Sequence, residues 1–155
     1  IMADTDLNAG DLTVTITEVL SIGHDVAADA RDFAQVCTHT YAGILNSSKR
    51  IIKLPNSNLN EVVTFSNDDV NNGKFIIGDV RYIRVTNLDG TDALQVGLDD
   101  EDSDAAYTSV AANSSIIYTG TTVEGTNGGT TLDAATALKV KGIANQQLEV
   151  FIASV

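Results

Sequence analysis

The densest group of chemically capable side chains is an acidic run near the middle of the chain. Five carboxylates fall within six residues, at Asp99, Asp100, Glu101, Asp102 and Asp104. Ca²⁺ takes several oxygen ligands, so Asp100, Asp102 and Asp104 are candidate calcium-binding residues. The run lacks the glycine and the terminal bidentate glutamate of an EF-hand loop. The charge pattern favours the alternative, a mutually repelling loop that stays in solvent.

A thiol and an imidazole stand two residues apart, at Cys37 and His39, which places both on one side of a strand. A cysteine nucleophile also needs a base and an oxyanion hole, and no glycine-rich turn surrounds Cys37. The chain has one cysteine and two histidines, in no spacing typical of a zinc site. The pattern therefore predicts a buried, unreactive thiol.

Two further patterns in the sequence are weaker candidates for an active site. The glycine-rich residues 125–131 lack the lysine of a phosphate-binding loop. A glycosidase needs two carboxylates at a set separation, and the candidates are Glu18, Glu61, Glu124 and Glu149. The sequence does not give the distances between them. We therefore predict no enzymatic activity, no catalytic residue, no cofactor and no metal beyond the calcium candidate.

One strand-like segment has the side chains of a contact surface. Within residues 81–86, Ile83 and Val85 alternate with Tyr82, Arg84 and Thr86. Tyrosine and arginine are enriched in protein interfaces, so Tyr82, Arg84 and Thr86 are candidate interface residues. Cross-strand pairing of the same three side chains within one sheet is the alternative.

Charge and composition exclude several classes of partner. The 155 residues include nine basic and 21 acidic side chains, for a net charge of −12. Phosphate contacts need lysine or arginine, so this balance argues against nucleic acid and against anionic membrane. No apolar stretch reaches the roughly 18 residues of a membrane span. No basic and apolar leader precedes the chain, which predicts synthesis in a host cytoplasm.

Period-two alternation of apolar and polar residues dominates the chain. Leu12, Val14 and Ile16 alternate with threonines, which is typical of a half-buried strand. Other strand-like segments are residues 50–54, 61–66, 74–77, 81–87, 94–98, 115–118, 138–140 and 148–152. Short strands without long crossover helices predict an all-β antiparallel sandwich, of jelly-roll or immunoglobulin-like type. Residues 24–35 fit either one short helix or a loop that leads into a strand over 33–40.

Turn residues separate these segments. Asp89-Gly90 lies between two of them and predicts an antiparallel hairpin. Residues 71–73 and 127–129 mark further turns, and Pro55 closes a strand. We predict a polar N-terminal docking arm over residues 1–11, ordered by a partner, and a single sandwich domain over residues 12–155.

Residues 80–98, with the sequence VRYIRVTNLDGTDALQVGL, resemble a strand–turn–strand phrase of small virion proteins of tailed bacteriophages. Residues 147–153 also resemble a segment of those proteins. The composition of the chain, which is acidic, rich in threonine and free of tryptophan, resembles theirs as well. The resemblance implies a β-sandwich that coats a capsid or forms part of a tail, and it transfers no functional residue. It leads us to expect a non-enzymatic virion protein, first of all a capsid decoration (cement) protein. Its expected partners are further copies of itself and the major capsid protein. The alternatives are a tail or neck component, or a glycan- or calcium-binding module.

Overall fold

The computed structural model describes residues 9–22, 31–66, 74–99, 107–119 and 135–155, and these are almost entirely β-strand. One 3₁₀ turn, Ile77–Asp79, interrupts the strands. The strands are β1 Gly10–Ile22, β2 Arg31–Ile44, β3 Asn46–Lys53, β4 Leu59–Ser66, β5 Phe75–Ile76, β6 Val80–Asn87, β7 Leu94–Asp99, β8 Tyr107–Val110, β9 Ser115–Thr119, β10 Ala137–Lys141 and β11 Gln147–Ser154. Within the described ranges, no helix has the length and apolarity to cross a membrane.

The chain divides into two compact units, residues 1–44 and 45–155. The boundary between these units lies within the range that we predicted as one domain, residues 12–155, and that domain assignment stays a prediction. The first unit contains β1 and β2, which pair antiparallel with each other and with no third described strand. We call this pair the ribbon. The predicted arm ends earlier than expected, because Gly10 and Asp11 already belong to β1, and residues 1–8 lie outside the described ranges.

Alternation gives the ribbon two chemically different faces. Directly opposite residues of an antiparallel pair share a face. One face carries the cross-strand pairs of Leu12 with Tyr41, Val14 with His39, and Ile16 with Cys37. The other face carries threonine pairs, in which the hydroxyls of Thr13 and Thr40 and of Thr15 and Thr38 lie 3.3 Å apart. β-branched residues favour the pleated strand on both faces.

The second unit is a sandwich of two sheets. One has the strand order β5-β4-β10-β7-β8 and the other β3-β11-β6-β9. Four antiparallel pairs are nested along the chain: β3 with β11, β4 with β10, β6 with β9, and β7 with β8. Such nesting folds one long hairpin into two Greek keys, which is the jelly-roll arrangement. The all-β sandwich is thus confirmed, its strand order is that of the jelly roll, and its pairs are antiparallel except that β5 runs parallel to β4.

The core lies between the two sheets and explains the alternation of their strands. Both sheets contribute buried apolar side chains, each stabilising the fold by roughly 1.5–3 kcal/mol relative to exposure. The five-stranded sheet supplies Val63, Phe65, Leu94, Val96, Leu98, Leu138 and Val140, and the four-stranded sheet supplies Ile83, Val85, Leu148, Val150 and Ile152. Tyr118 also lies here, and burial raises its pKa to about 12.

The predicted hairpin at Asp89-Gly90 is wrong. β6 and β7 belong to different sheets, so residues 88–93 cross from one sheet to the other. Gly90 does not adopt the positive φ that a tight hairpin turn requires. The Asp89 carboxylate instead accepts hydrogen bonds from the backbone amides of Asp92 and Thr91, at 2.9 and 2.8 Å, which lower its pKa. Asp89 therefore fixes a crossover and not a hairpin.

Two buried amides organise the same end of the sandwich. The Asn87 Nδ2 donates to the carbonyl oxygens of Asp92, Val110 and Ala111 at 2.7–3.3 Å. The Gln146 Nε2 donates to the Asp92 carbonyl at 2.9 Å, and its Oε1 accepts from the Ile143 amide at 2.9 Å. Three connections between the sheets are therefore held by side chains that are almost fully buried.

Most predicted strands are confirmed. Each segment named from alternation overlaps a strand, although residues 74–77 give only the two residues of β5. Pro55 follows β3 as predicted, and residues 33–40 lie in β2, which confirms the strand alternative for that part of residues 24–35. β8 has no predicted counterpart. Residues 24–30 and the turns at 71–73 and 127–129 lie outside the described ranges.

Candidate functional site

The candidate interface residues Tyr82, Arg84 and Thr86 lie on β6 and engage neighbouring strands. Tyr82 is buried, and its ring packs edge-to-face on Phe151 with the ring centroids 5.8 Å apart. The hydroxyls of Thr86 and Ser115 lie 2.8 Å apart. Tyr82 therefore shares the face of Arg84 and Thr86, as alternation predicts, but it is buried there and not exposed. Whether this strand also contacts a partner chain stays a prediction.

Arg84 belongs to a charge network on the same face. Its Nη2 lies 2.8 Å from Glu149 Oε1, and the Lys49 Nζ lies 3.1 Å from Glu149 Oε2. The Arg84 guanidinium also lies 5.8 Å from the ring centroid of Phe151. Burial alone would raise the pKa of Glu149, but the hydrogen bonds from Lys49 and Arg84 outweigh it and lower that pKa. Glu149 is thus held ionised between two cations.

The calcium candidates Asp100, Asp102 and Asp104 lie outside the described residues. The first carboxylate of the run, Asp99, ends β7 and forms an ion pair with Lys139 of β10. The hydrogen bond from Lys139 to Asp99 raises the pKa of the lysine. Within the described ranges, no three histidine, cysteine, aspartate or glutamate side chains group as a metal site would require.

Cys37 is exposed, so the prediction of a buried thiol is wrong. Its strand does alternate, but among the described strands only β1 pairs with it. His39 shares this face as expected, and its ring contacts Tyr41 with the centroids 4.5 Å apart. The described contacts therefore give His39 an aromatic neighbour rather than the role of a base toward Cys37.

The three described carboxylates among the glycosidase candidates lie on three different sheets. Glu18 lies on the ribbon, Glu61 on the five-stranded sheet and Glu149 on the four-stranded sheet. Glu61 accepts a hydrogen bond from the Thr64 hydroxyl at 2.5 Å. Glu124 and the glycine-rich residues 125–131 lie outside the described ranges. The three described carboxylates therefore occupy separate places in the fold.

A shallow cleft of about 700 Å³ lies at one end of the five-stranded sheet. Its walls include Tyr107, Gln95, Lys141, Ser57 and Asn58. Tyr107 stands opposite Gly97, which has no side chain to cover the ring. Partial burial and the nearby Asp99 raise the pKa of Tyr107. The cleft therefore offers an aromatic ring, two amides, a hydroxyl and a cation, which we call the Tyr107 cleft.

The ribbon carries the most conspicuous apolar exposure of the described chain, and sequence reasoning missed it. Ile16 is 46% exposed and Leu20 lies on the same face, while Val19 on the opposite face is 70% exposed. Val36 is also exposed. Two-stranded sheets are marginally stable in water by themselves, and neither edge of this one has a further described strand beside it. The alternation over residues 12–20 indicated the strand, but it did not indicate that β1 would pair with β2 alone among the described strands.

The comparisons with known proteins add no relative. No protein-family model, curated protein or solved structure matches this chain. The structure therefore defines the architecture of this protein: a jelly-roll sandwich and a two-stranded ribbon, which form two units.

Proposed function

We propose that this protein is a non-enzymatic structural protein of a virus particle, and within that class a capsid decoration protein that binds symmetry-related coat subunits. The ribbon is the observation that carries the proposal. Jelly-roll sandwiches form viral capsid domains and lectins, so the fold is compatible with a virion role but does not select it. The phage-like strand phrase of residues 80–98 favours the virion among these uses.

The ribbon has the chemistry of a docking element. It exposes aliphatic side chains on both faces, namely Ile16 and Leu20 on one and Val19 and Val36 on the other. Burying such side chains against a partner stabilises a complex in proportion to the apolar area removed from water. The open edges of β1 and β2 can also add to a neighbouring sheet, because their outward N–H and C=O groups have no described backbone partner.

A coat subunit is a suitable partner for this element. Residues 10–22 and 31–44 contain three acidic residues and one basic residue, so the ribbon carries little of the net charge of −12. Recognition would therefore rest on apolar contact and backbone pairing, which vary little with salt. Coat lattices present many identical copies, so even a modest ribbon contact would be repeated across the particle.

Co-sedimentation with virus particles tests the proposal. Particles are purified from a virus-producing culture of the source, stripped of this chain, and mixed with the recombinant full-length protein. We expect the protein to sediment with the particles to a saturating, fixed number of copies. Failure to bind particles, together with absence of the chain from unstripped particles, would contradict a virion role.

A matched pair of variants tests the ribbon as the docking element. Ile16 and Ile143 have the same exposed fraction, 46%, but Ile16 lies on the ribbon and Ile143 precedes β11 in the sandwich. Ile16→Asp should weaken particle binding by about tenfold or more, because a charge would be buried against an apolar partner. Ile143→Asp should leave binding unchanged. Equal binding by both variants would remove the ribbon from the contact.

The Tyr107 cleft supports a second candidate function, binding of a saccharide. An aromatic ring beside Gln95, Asn58 and Lys141 provides an apolar platform and several hydrogen-bonding groups. A glycan array followed by calorimetry separates this from the first proposal. Binding that disappears in Tyr107→Ala and persists in Ile16→Asp would favour the saccharide-binding module, whereas a silent array would remove it.

A further inference from the structure

Charge is segregated between the two sheets of the sandwich. The four strands β3, β11, β6 and β9 contain five of the nine basic residues of the chain but only one of its 21 acidic residues. The strands β4, β5, β7, β8 and β10 contain two of each. We call the first group the cationic sheet. Its strands carry a net charge of +4, which leaves −16 on the rest of a chain whose total is −12.

The positive charge concentrates on the edge strand β3. Lys49, Ile51 and Lys53 are opposite Phe151, Glu149 and Gln147 and share the outer face of the sheet. Ile51 is 66% exposed between the two lysines. Arg50 points to the other side, where it lines a cleft of about 450 Å³ together with Lys74. The edge is therefore cationic on both sides and apolar at its centre.

Only part of this charge is neutralised within the described chain. Glu149 binds Lys49 and Arg84, whereas Arg50 and Lys53 form no ion pair with any described residue. β3 is the terminal strand of its sheet, and its outer edge has no described strand beside it. Two β3 edges could not pair with each other favourably, because lysines and Arg50 would be opposed. The edge instead fits an acidic surface.

We propose that the cationic sheet binds the acidic remainder of a second copy of this chain, through the outer edge and face of β3. The complement is present in the same molecule, since the rest of the chain carries −16. A contact between two different surfaces of identical chains is heterologous. Repeated contacts of this kind form a closed ring when the rotation between neighbouring copies divides a full turn evenly. The inference rests on the proposed function, for which it names the contact between neighbouring copies.

Sedimentation velocity of the full-length protein at about 20 mM and 500 mM NaCl tests this inference. We expect oligomers of the 16.3 kDa chain at low salt and dissociation at high salt. The double variant R50E/K53E should weaken self-association by about tenfold or more, because both side chains are exposed and would then repel the acidic surface. The control is K141E on β10, which changes an exposed lysine of the other sheet. Circular dichroism verifies that each variant is folded.

Three results would overturn the inference: a monomer at every concentration in low salt, association that does not respond to salt, or equal weakening by R50E/K53E and K141E. Ile51→Ser adds an independent check and should also weaken association. Particle binding by the same variants tests the proposed function independently of this inference. R50E/K53E that self-associates normally and still binds particles contradicts only the inference.

Discussion

The Nε2 of Gln146 donates a hydrogen bond to the Oδ1 of Asn87 at 3.4 Å, although 59 residues separate the two amides in the chain. Both side chains are almost fully buried. Their remaining hydrogen bonds reach Asp92, Val110 and Ile143, which lie near the ends of three different crossovers. A jelly roll depends on such crossovers, so this amide pair couples the connections at one end of the sandwich.

Asn87→Ala should therefore destabilise the sandwich strongly. The substitution removes a donor to the buried carbonyl group of Val110 and to the partly buried carbonyl group of Asp92, at a cost of about 1–3 kcal/mol in the free energy of unfolding. Urea unfolding measures the change. Asn60→Ala is the control, since the hydrogen bonds of Asn60 to Asn56 and Asn58 are exposed to solvent. Equal losses from the two variants would contradict the coupling role of the buried pair.

Gly142 lies beside the same pair and tolerates no side chain. A Cβ at this position would lie 2.7 Å from Leu94 Cδ2 and 2.9 Å from Leu54 Cδ1, and it would also overlap Gln146 Oε1. We expect Gly142→Ala to lower the free energy of unfolding by about 1–3 kcal/mol, because the core must shift to admit the methyl group. Gly78→Ala is the matched control, since nothing lies within 4 Å of its added Cβ. Thermal unfolding that ranks Gly78→Ala as the worse variant would contradict the packing described at Gly142.

The Glu149 network predicts a dependence of stability on pH. Its pKa in the folded state is lowered from 4.5 by Lys49 and Arg84, against the opposing effect of burial. The stabilisation is therefore complete above the unfolded pKa and is lost as the pH falls through the folded value. Unfolding free energies measured from pH 7 down to pH 3 should fall less steeply for Glu149→Gln than for the unmodified chain. A slope for Glu149→Gln that runs parallel to that of the unmodified chain would contradict the network.

Local stability should differ between the ribbon and the sandwich. The ribbon has two strands and exposed aliphatic residues, whereas β11 lies between two strands over a buried core. Hydrogen exchange in the free protein should be faster for amides of β1 and β2 than for those of β11. Binding to particles should slow exchange in the ribbon specifically. Ribbon amides as protected as those of β11 in the free chain would indicate that the ribbon needs no partner.

The alternation of apolar and polar residues predicted the strands because each sandwich strand has one face in a shared core. Leu94, Val96 and Leu98 are buried as their spacing indicates. The same pattern at Leu12, Val14 and Ile16 predicted a strand correctly and burial only partly, since alternation does not state whether a second layer covers the face. The exposed thiol of Cys37 follows from the same cause.

Connections between strands were predicted less well, because turn residues do not state which sheet the next strand joins. Asp89-Gly90 has hairpin chemistry, yet the chain there crosses between sheets, with Asp89 holding the crossover. The chain also divides into two compact units near residue 45, where Gly43 has a φ of 75° and the polar residues 46–48 follow. One glycine between two strand-like segments does not by itself indicate such a division. The charge of the cationic sheet arises from strands far apart in sequence, so it emerges only when β3 and β6 are placed on either side of β11.

The central claim is that this protein is a stoichiometric part of a virus particle, and its abundance in purified particles tests that claim most directly. Quantitative mass spectrometry of density-gradient-purified particles from a virus-producing culture of the source compares its copy number with that of the coat protein. We predict a fixed, simple ratio to the coat protein that persists through repeated purification. Absence of the chain from the particles, or a ratio that falls with each purification step, would contradict the claim.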